Sequence, residues 1–440
     1  MPPLGVHVRT QPKREARRVP TATDFDTSIP VLVVKVGRYP RHHGGLGAVR
    51  TVGRVGIPAF AMTEDRFTPV AMSRYLTGRT VSPLSGLEPT AQLVERVRRA
   101  VDRVGTEVIA LPTDDEAAIL IAEHRDALGP RLIAPPIPPS LPRRLASKRC
   151  LLELCERHST PTAGAAFLVT PDDFDRYART ARYPVVAKVV EPFRRLEVPT
   201  IRSPTLFRSE AELLGNLDRQ LTPSYLMLQE YLPPETSEDW IFQGYFDASS
   251  ECLVGFTGVK YRSWPPQFGI TTFATTAANE ALAAKAIAFC RAVRYCGIVD
   301  MDWRLDQRDG EYHLLDCNPR VGAQFRLFEN AASIDVVRAM HLDLTGRSVP
   351  EAPMRHRSFV VEHLDLASRL SRADRSARNR ARPRRGPIER AWFAPDDPVP
   401  FVSMMVRQVV PTYKYALRRV THNAARDRHA ARRASRGTRA

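Results

Sequence analysis

No cysteine in this sequence stands in a Cys-x-x-Cys spacing: the six, Cys150, Cys155, Cys252, Cys290, Cys296 and Cys317, are scattered through 440 residues. In a chain this long they do not read as a disulfide framework, and buried thiols in a reducing compartment are expected. No apolar run reaches the roughly 18 to 20 residues that span a bilayer. The opening stretch MPPLGVHVRTQPKREARRVP carries charge with no apolar segment behind it, so it is not read as a secretory signal, and a cytoplasmic protein is expected. No fixed-period repeat is present, which excludes a solenoid. What remains is a globular protein: 43% of the residues are hydrophobic, and the length accommodates roughly two to four compact units.

The formal charge is +17, but it is unevenly placed: from Leu366 onward 19 Lys and Arg stand against 5 Asp and Glu. The body is therefore nearly balanced, and any nucleic-acid or anionic-membrane partner belongs to the tail.

Along the chain, IPVLVVKVG (29–37) is a continuous apolar run of strand length, the mark of a strand buried on both faces. A loop with Gly44, Gly45 and Gly47 then opens a helical pattern, and IPAFAM follows as a second strand, the start of an open parallel sheet. The glycines suit either a tight turn or the capping of an anionic substrate by a helix N-terminus, with His43 or Arg41 beside it. Met72-Ser73-Arg74-Tyr75 is a further candidate for facing a substrate. A helix over Gln92 to Val104, the strand EVIALP, a helix begun by Asp114 and Asp115, and the proline-rich LIAPPIPPSLP complete this first domain.

The chemistry concentrates in GIVDMDWRLDQ and EYHLLDCNPR, two strand patterns joined by Arg308-Asp309-Gly310. Pairing Gln307 with Glu311 sets Asp302 opposite Asp316 and Asp300 opposite Asn318, and cross-strand partners share a face. Facing carboxylates repel and require a cation; an Asp, Asp, Asn set holds one or two Mg²⁺ ions. A surface hairpin with a polar outer face is the alternative, but Arg320, Gln324 and Arg326 follow at once, and magnesium beside arginine suggests a nucleoside triphosphate. Lys188, centred in PVVAKVV, must reach water, an acid or an anionic ligand, unless it guards an edge strand. In QEYLPPETSED, an apolar strand ending in Gln229-Glu230 and followed by Glu238 suits a hinge for adenine and an acid for ribose hydroxyls.

The order Lys148, Lys188, QEYL, Glu238, Asp302, then Asp316-Cys-Asn318-Pro-Arg320 resembles the ATP-grasp superfamily. The likeness is nearest to its carboxylate-amine ligases, with a preceding domain similar to that of the carbamoyl-phosphate synthase and biotin carboxylase group, and it covers roughly residues 29 to 348. It implies an N-terminal open parallel α/β domain (29–140); the polar, Pro- and Arg-rich start before it (1–28) is expected to be disordered. A two-lobed α+β ATP-grasp domain follows (141–348, small lobe about 141–228, large lobe about 229–348), and then a basic C-terminal extension (349–440). It implies that Lys148 and Lys188 contact ATP phosphates, that Gln229, Glu230, Tyr231 and Leu232 line the adenine pocket, and that Glu238 binds ribose. Asp302, Asp316 and Asn318 would ligate Mg²⁺, with Mn²⁺ as a substitute, and Arg320 would sit near the transferred phosphoryl group. Lys260 and Arg262, in GVKYRSWPPQFG, fall where the family has a mobile loop over the triphosphate; ordinary surface charge is the other reading.

One departure stands out. The family's glycine-rich phosphate loop is replaced here by EPFRRLEVPTIRSP, which has no glycine, so Arg194, Arg195 and Arg202 would take over anion contact or the lid is altered. The implied activity is ADP-forming ligation of a small-molecule carboxylate to an amine. The competing expectation is a degenerate ATP-grasp scaffold whose tail, ADRSARNRARPRRGP and MMVRQVVPTYKYALRRV, binds nucleic acid or anionic membrane.

Overall fold

The computed structural model describes residues 25–39, 42–84, 87–194, 204–217, 226–266, 269–370 and 386–408, and every structural statement below concerns these. The first unit runs β1 (Val31–Val34), α1 (His43–Gly53), β2 (Ala59–Thr63), β3 (Leu76–Val81), α2 (Thr90–Val104), β4 (Val108–Pro112), α3 (Asp115–Glu123), α4 (Arg125–Leu128) and β5 (Leu132–Ile133). Its strands form a parallel five-stranded sheet in the order β3-β2-β1-β4-β5. All of β1 is buried, as a strand covered on both faces requires. Phe25 is buried too and lies beside His341, so residues 25–28 belong to the packed unit and not to a disordered start.

The next stretch holds α5 (Leu141–Ala146), α6 (Lys148–Arg157), β6 (Ala165–Phe167), α7 (Pro171–Thr180), β7 (Val185–Val189), β8 (Thr205–Phe207), α8 (Glu210–Asn216) and β9 (Leu226–Glu230). Its four strands pair antiparallel in the order β6-β9-β7-β8, with α7 and α8 covering a core that includes Phe174, Phe207 and Leu213. Ser147 caps α6 by accepting from the Cys150 N–H, which fixes Lys148 as the first helical residue.

The largest sheet follows: β10 (Ser237–Phe246), β11 (Cys252–Trp264), β12 (Ile270–Thr276), α9 (Glu280–Ala292), β13 (Gly297–Asp306), β14 (Glu311–Asn318), α10 (Val336–Leu344), β15 (Ser358–Val360), α11 (Glu362–Leu370) and β16 (Ile388–Arg390). The strand order is β14-β13-β10-β11-β12-β15-β16. One face packs on α9 through Phe242, Phe246, Phe289 and Trp303, each contributing roughly 1.5–3 kcal/mol by leaving water. The other packs on α10 and α1 through Tyr245, Phe325 and Phe328. Gly47 is needed there: a Cβ would stand 2.9 Å from Arg326 Cγ and 3.0 Å from the Phe325 ring, so α1 sits closer than a side chain allows. The glycines therefore lie inside a helix packed on the segment after Arg320, not in a turn, and the His42 imidazole already caps the Gly45 N–H.

The expected separate extension from 349 needs correcting. β15 pairs with β12, and β16 with β15, so residues 358–390 complete the same sheet. Beyond them, Asp397 is buried with Arg50 (Nε to Oδ2 3.0 Å) and accepts from Ser73 Oγ at 2.7 Å and the Arg74 N–H at 2.9 Å. Asp396 takes Arg54 and the Tyr75 hydroxyl. The Ser73-Arg74-Tyr75 element therefore docks this C-terminal segment and does not face a substrate. The charge run at 373–385, Arg41, Arg195, Arg202 and residues 409–440 lie outside the described residues. Among the described residues no helix is long and apolar enough to cross a membrane, and all six cysteines are free, four of them buried.

Candidate active site

Residues of the β6–β9 sheet and of the large sheet together line a cavity of 240 Å³. Lys148 enters from the start of α6 and Lys188 from β7, an interior strand flanked by β9 and β8, which removes the edge-strand reading. Asp302 and Asp316 enter from β13 and β14 as direct cross-strand partners, with Asp300 opposite Asn318 in the next pair. That register arises differently from the expectation. Asp306, not Gln307, pairs with Glu311, so the turn holds four residues, and a bulge at Leu315 shifts the ladder back by one before the acids. The bulge also turns Leu315 into the cavity beside Asp316, where simple alternation would have pointed it away.

The electrostatics suit a polyanion. The Lys148 ammonium donates to Asp316, and Lys260 Nζ lies 3.8 Å from Asp302 Oδ1. Burial pushes the Asp316 carboxyl up, but Lys148, Lys188 and Arg320 outweigh it and hold it below the ordinary value. Lys188 donates to Gln229 Oε1 at 2.7 Å; burial, and then Lys148, push its ammonium down to about 8. Asp300 is buried and accepts from the Gln243 and Gln324 amides at 2.9 and 3.0 Å. Burial and its neighbour Asp302 push it up to about 7. A Cβ at Gly322 would lie 2.2 Å from Gln243 Nε2, so that glycine lets the chain pass over this pair.

Gln229, Glu230, Tyr231 and Leu232 line the same cavity, as expected of a hinge. Glu238 does not; Asp239 does. Asp239 pairs across the strands with Arg304 and therefore shares a face with Asp302, whereas Glu238 takes the other face. Arg304, missed by the sequence reading, donates to Asp239 at 2.6 Å and to the Leu232 carbonyl at 2.9 Å, tying hinge to sheet. Arg262 is also misplaced by the expectation. Lys260 pairs with Ala274 and Arg262 with Phe273, so a bulge at Tyr261 sends Arg262 to the opposite face. There it lies 4.3 Å over the Phe273 ring and binds Asp365 at 2.6 Å.

Asn318 lies outside the cavity lining, with its amide donating to the Asp300 carbonyl at 3.3 Å. Arg320 lies outside it as well. It spans Asp115 (3.1 Å) and Asp300 (3.5 Å) and borders a second cavity. Burial opposes its charge, yet Asp115, Asp300 and Asp316 outweigh that and raise its pKa. Arg194 pairs with Glu191 at 3.1 Å, one turn away.

The fold matches solved structures of low sequence identity. The biotin carboxylase domain of Hydrogenobacter thermophilus 2-oxoglutarate carboxylase, crystallised with MgADP, ADP and bicarbonate, aligns with TM-score 0.55 at 15% identity over 74% of this chain and 71% of that one. The N5-carboxyaminoimidazole synthetase of Staphylococcus aureus aligns with TM-score 0.57 at 10% identity over 76% of this chain and 82% of that one. Residues 271–346, which carry both strands of acids, match the family model of the carbamoyl-phosphate synthase L chain, ATP binding domain. Over these residues the chain resembles that ATP-binding domain, and it shares the fold of the solved structures. Among curated proteins, the D-aspartate ligase of Enterococcus faecium (strain Aus0004) is 24% identical over 276 residues, 60% of this chain. The chain spans 65% of that relative's length.

Proposed function

We propose that this protein is an ATP-dependent ligase that joins a carboxylate to an amine through an acyl phosphate, releasing ADP and phosphate. The observation that carries the reading is the meeting of Lys148, Lys188 and Lys260 with Asp302 and Asp316 in one cavity, next to an arginine that borders a second. Lysines on a facing carboxylate pair suit a triphosphate with its metal. The relatives' names, a D-aspartate ligase and an N5-carboxyaminoimidazole synthetase, agree with such chemistry.

Asp302 and Asp316 would hold magnesium as hard oxygen donors, with Asn318 next along the strand; Mn²⁺ would be accepted by the same donors. When bound, the ion neutralises triphosphate charge. Lys148 and Lys188 take the phosphates, Gln229 to Leu232 the adenine, and Asp239, in place of Glu238, the ribose hydroxyls. The substrate carboxylate, steered by Arg320, attacks the γ-phosphorus; a new O–P bond forms as the bond to ADP breaks. The amine nitrogen then attacks the acyl carbon, phosphate departs, and the nitrogen's proton passes to water. The protein's share is mainly positioning and positive charge.

The test is ADP release that requires both an acid and an amine. Asp316→Ala should abolish it, and unchanged turnover in that variant would remove the proposed metal site.

A further inference from the structure

The last helix among the described residues, 399–408, is amphipathic the wrong way round for water. Ser403 and Arg407, one turn apart, both donate to the Phe67 carbonyl, and Arg407 also binds Asp65, so the polar side chains of this helix face the protein. Met404 is buried on the same side, and Phe401 meets Phe393 edge-on. Val399, Val402, Met405 and Val406 recur at helical spacing on the opposite side, each 39–58% exposed. No charged residue stands on that stripe. Phe67, more exposed still, extends it from the loop that Ser403 and Arg407 hold. Single apolar residues at a surface need no partner, but a continuous row of them marks a contact site.

The charge around this face selects its partner. Arg66 and Arg74 are exposed on the stretch that carries Phe67, and Arg74 reaches the helix's lead-in through the Asp396 carbonyl. The acids nearby are already engaged, Asp65 by Arg407 and Asp396 by Arg54. Residues 409–440, which continue the chain directly from the helix, carry nine Lys and Arg against one Asp. Aliphatic side chains beside so much positive charge match a lipid surface with anionic headgroups, which offers acyl chains to the first and phosphates to the second. A nucleic acid would take up the charge and leave the valines in water. A second copy of the chain would cover the valines but bring two basic segments together, and like charges repel.

We infer that the helix over residues 399–408 is a docking face for an anionic lipid surface. Val399, Val402, Met405 and Val406 enter the acyl boundary, and the arginines around and after them meet the headgroups. Gln408, at the end of the helix, also lines the second cavity, so that cavity lies next to the bound surface. The attachment asks nothing of the ATP site and stands or falls apart from the ligase reading.

The test is co-sedimentation of the full chain with vesicles of phosphatidylcholine alone, or of about three parts phosphatidylcholine to one of phosphatidylglycerol. Binding to the anionic vesicles should be at least about tenfold tighter and should weaken as salt rises. Val402→Gln with Val406→Gln alters two exposed positions without changing the charge; it should leave the melting temperature in place and weaken vesicle binding at least about tenfold. Arg418→Gln with Arg419→Gln, which leaves the stripe intact, should weaken it at least about fivefold. Three results with vesicles overturn the inference: no binding to either kind, equal binding to both, or an unchanged affinity in the valine variant, which would mean that charge alone is at work. Binding of duplex DNA or single-stranded RNA without binding of vesicles overturns it in favour of a nucleic acid. Self-association that the valine variant abolishes, again without vesicle binding, overturns it in favour of a second copy.

Discussion

Raising the pH from 7 to 9 should weaken Mg·ATP binding about tenfold through Lys188, close to 1.4 kcal/mol. Burial and Lys148 push this ammonium down to about 8, so it is mostly charged at pH 7 and mostly neutral at pH 9. A triphosphate needs it charged. Nucleotide bound above pH 8 must therefore take up a proton, approaching one per site at pH 9 and none well below pH 7. Asp300, raised to about 7, loses its proton in the lower part of the same range, which adds negative charge beside the proposed metal ligands. The assay is calorimetry at pH 9 in two buffers of unlike ionisation enthalpy, whose difference in heat counts the protons. Lys188→Arg stays charged over the whole range and should bind with little pH dependence. A wild-type affinity that is flat from pH 7 to 9, or an equal loss in Lys188→Arg, would refute the assignment of Lys188 to the phosphates.

Asp397→Ala strands the buried Arg50 and should cost about 3–5 kcal/mol, read as a lowered urea midpoint; a shift under about 1 kcal/mol would mean that the C-terminal segment docks weakly. Asp239→Ala should raise the KM for ATP and loosen Arg304, whereas Glu238→Ala, on the other face, should leave it unchanged; steady-state kinetics separates the two. Arg262→Ala loses its contacts with Asp365 and Phe273 and should lower the melting temperature with ATP affinity intact, while Lys260→Ala should do the reverse.

The acids of the site were legible because strand alternation and one glycine turn suffice to oppose Asp302 with Asp316. The agreement came from two offsetting departures, a turn one residue longer and a bulge at Leu315, neither of which has a signature in the residues themselves. Lys260 and Arg262 were expected together in a loop over the triphosphate; both lie on β11, and a bulge at Tyr261 sends Arg262 to the face opposite Lys260. Glu238 failed for a simpler reason: two adjacent acids on one strand cannot be told apart until the partner strand, here Arg304, sets the face. The parallel sheet was plain from its apolar runs. The role of residues 358–408 was hidden because short strands such as Ser358–Val360 and Ile388–Arg390 are too brief for any period to show beside so much arginine.

The placement of β15 and β16 bears on how the chain is made. β12 leaves the ribosome some 80 residues before its outer neighbour in the sheet, and for that interval its backbone donors and acceptors have no partner on that side. A nascent or truncated chain ending before Ser358 would carry an unsealed ladder, inviting pairing with another copy. Solubility, as much as turnover, then depends on β15 and β16 being made and docked.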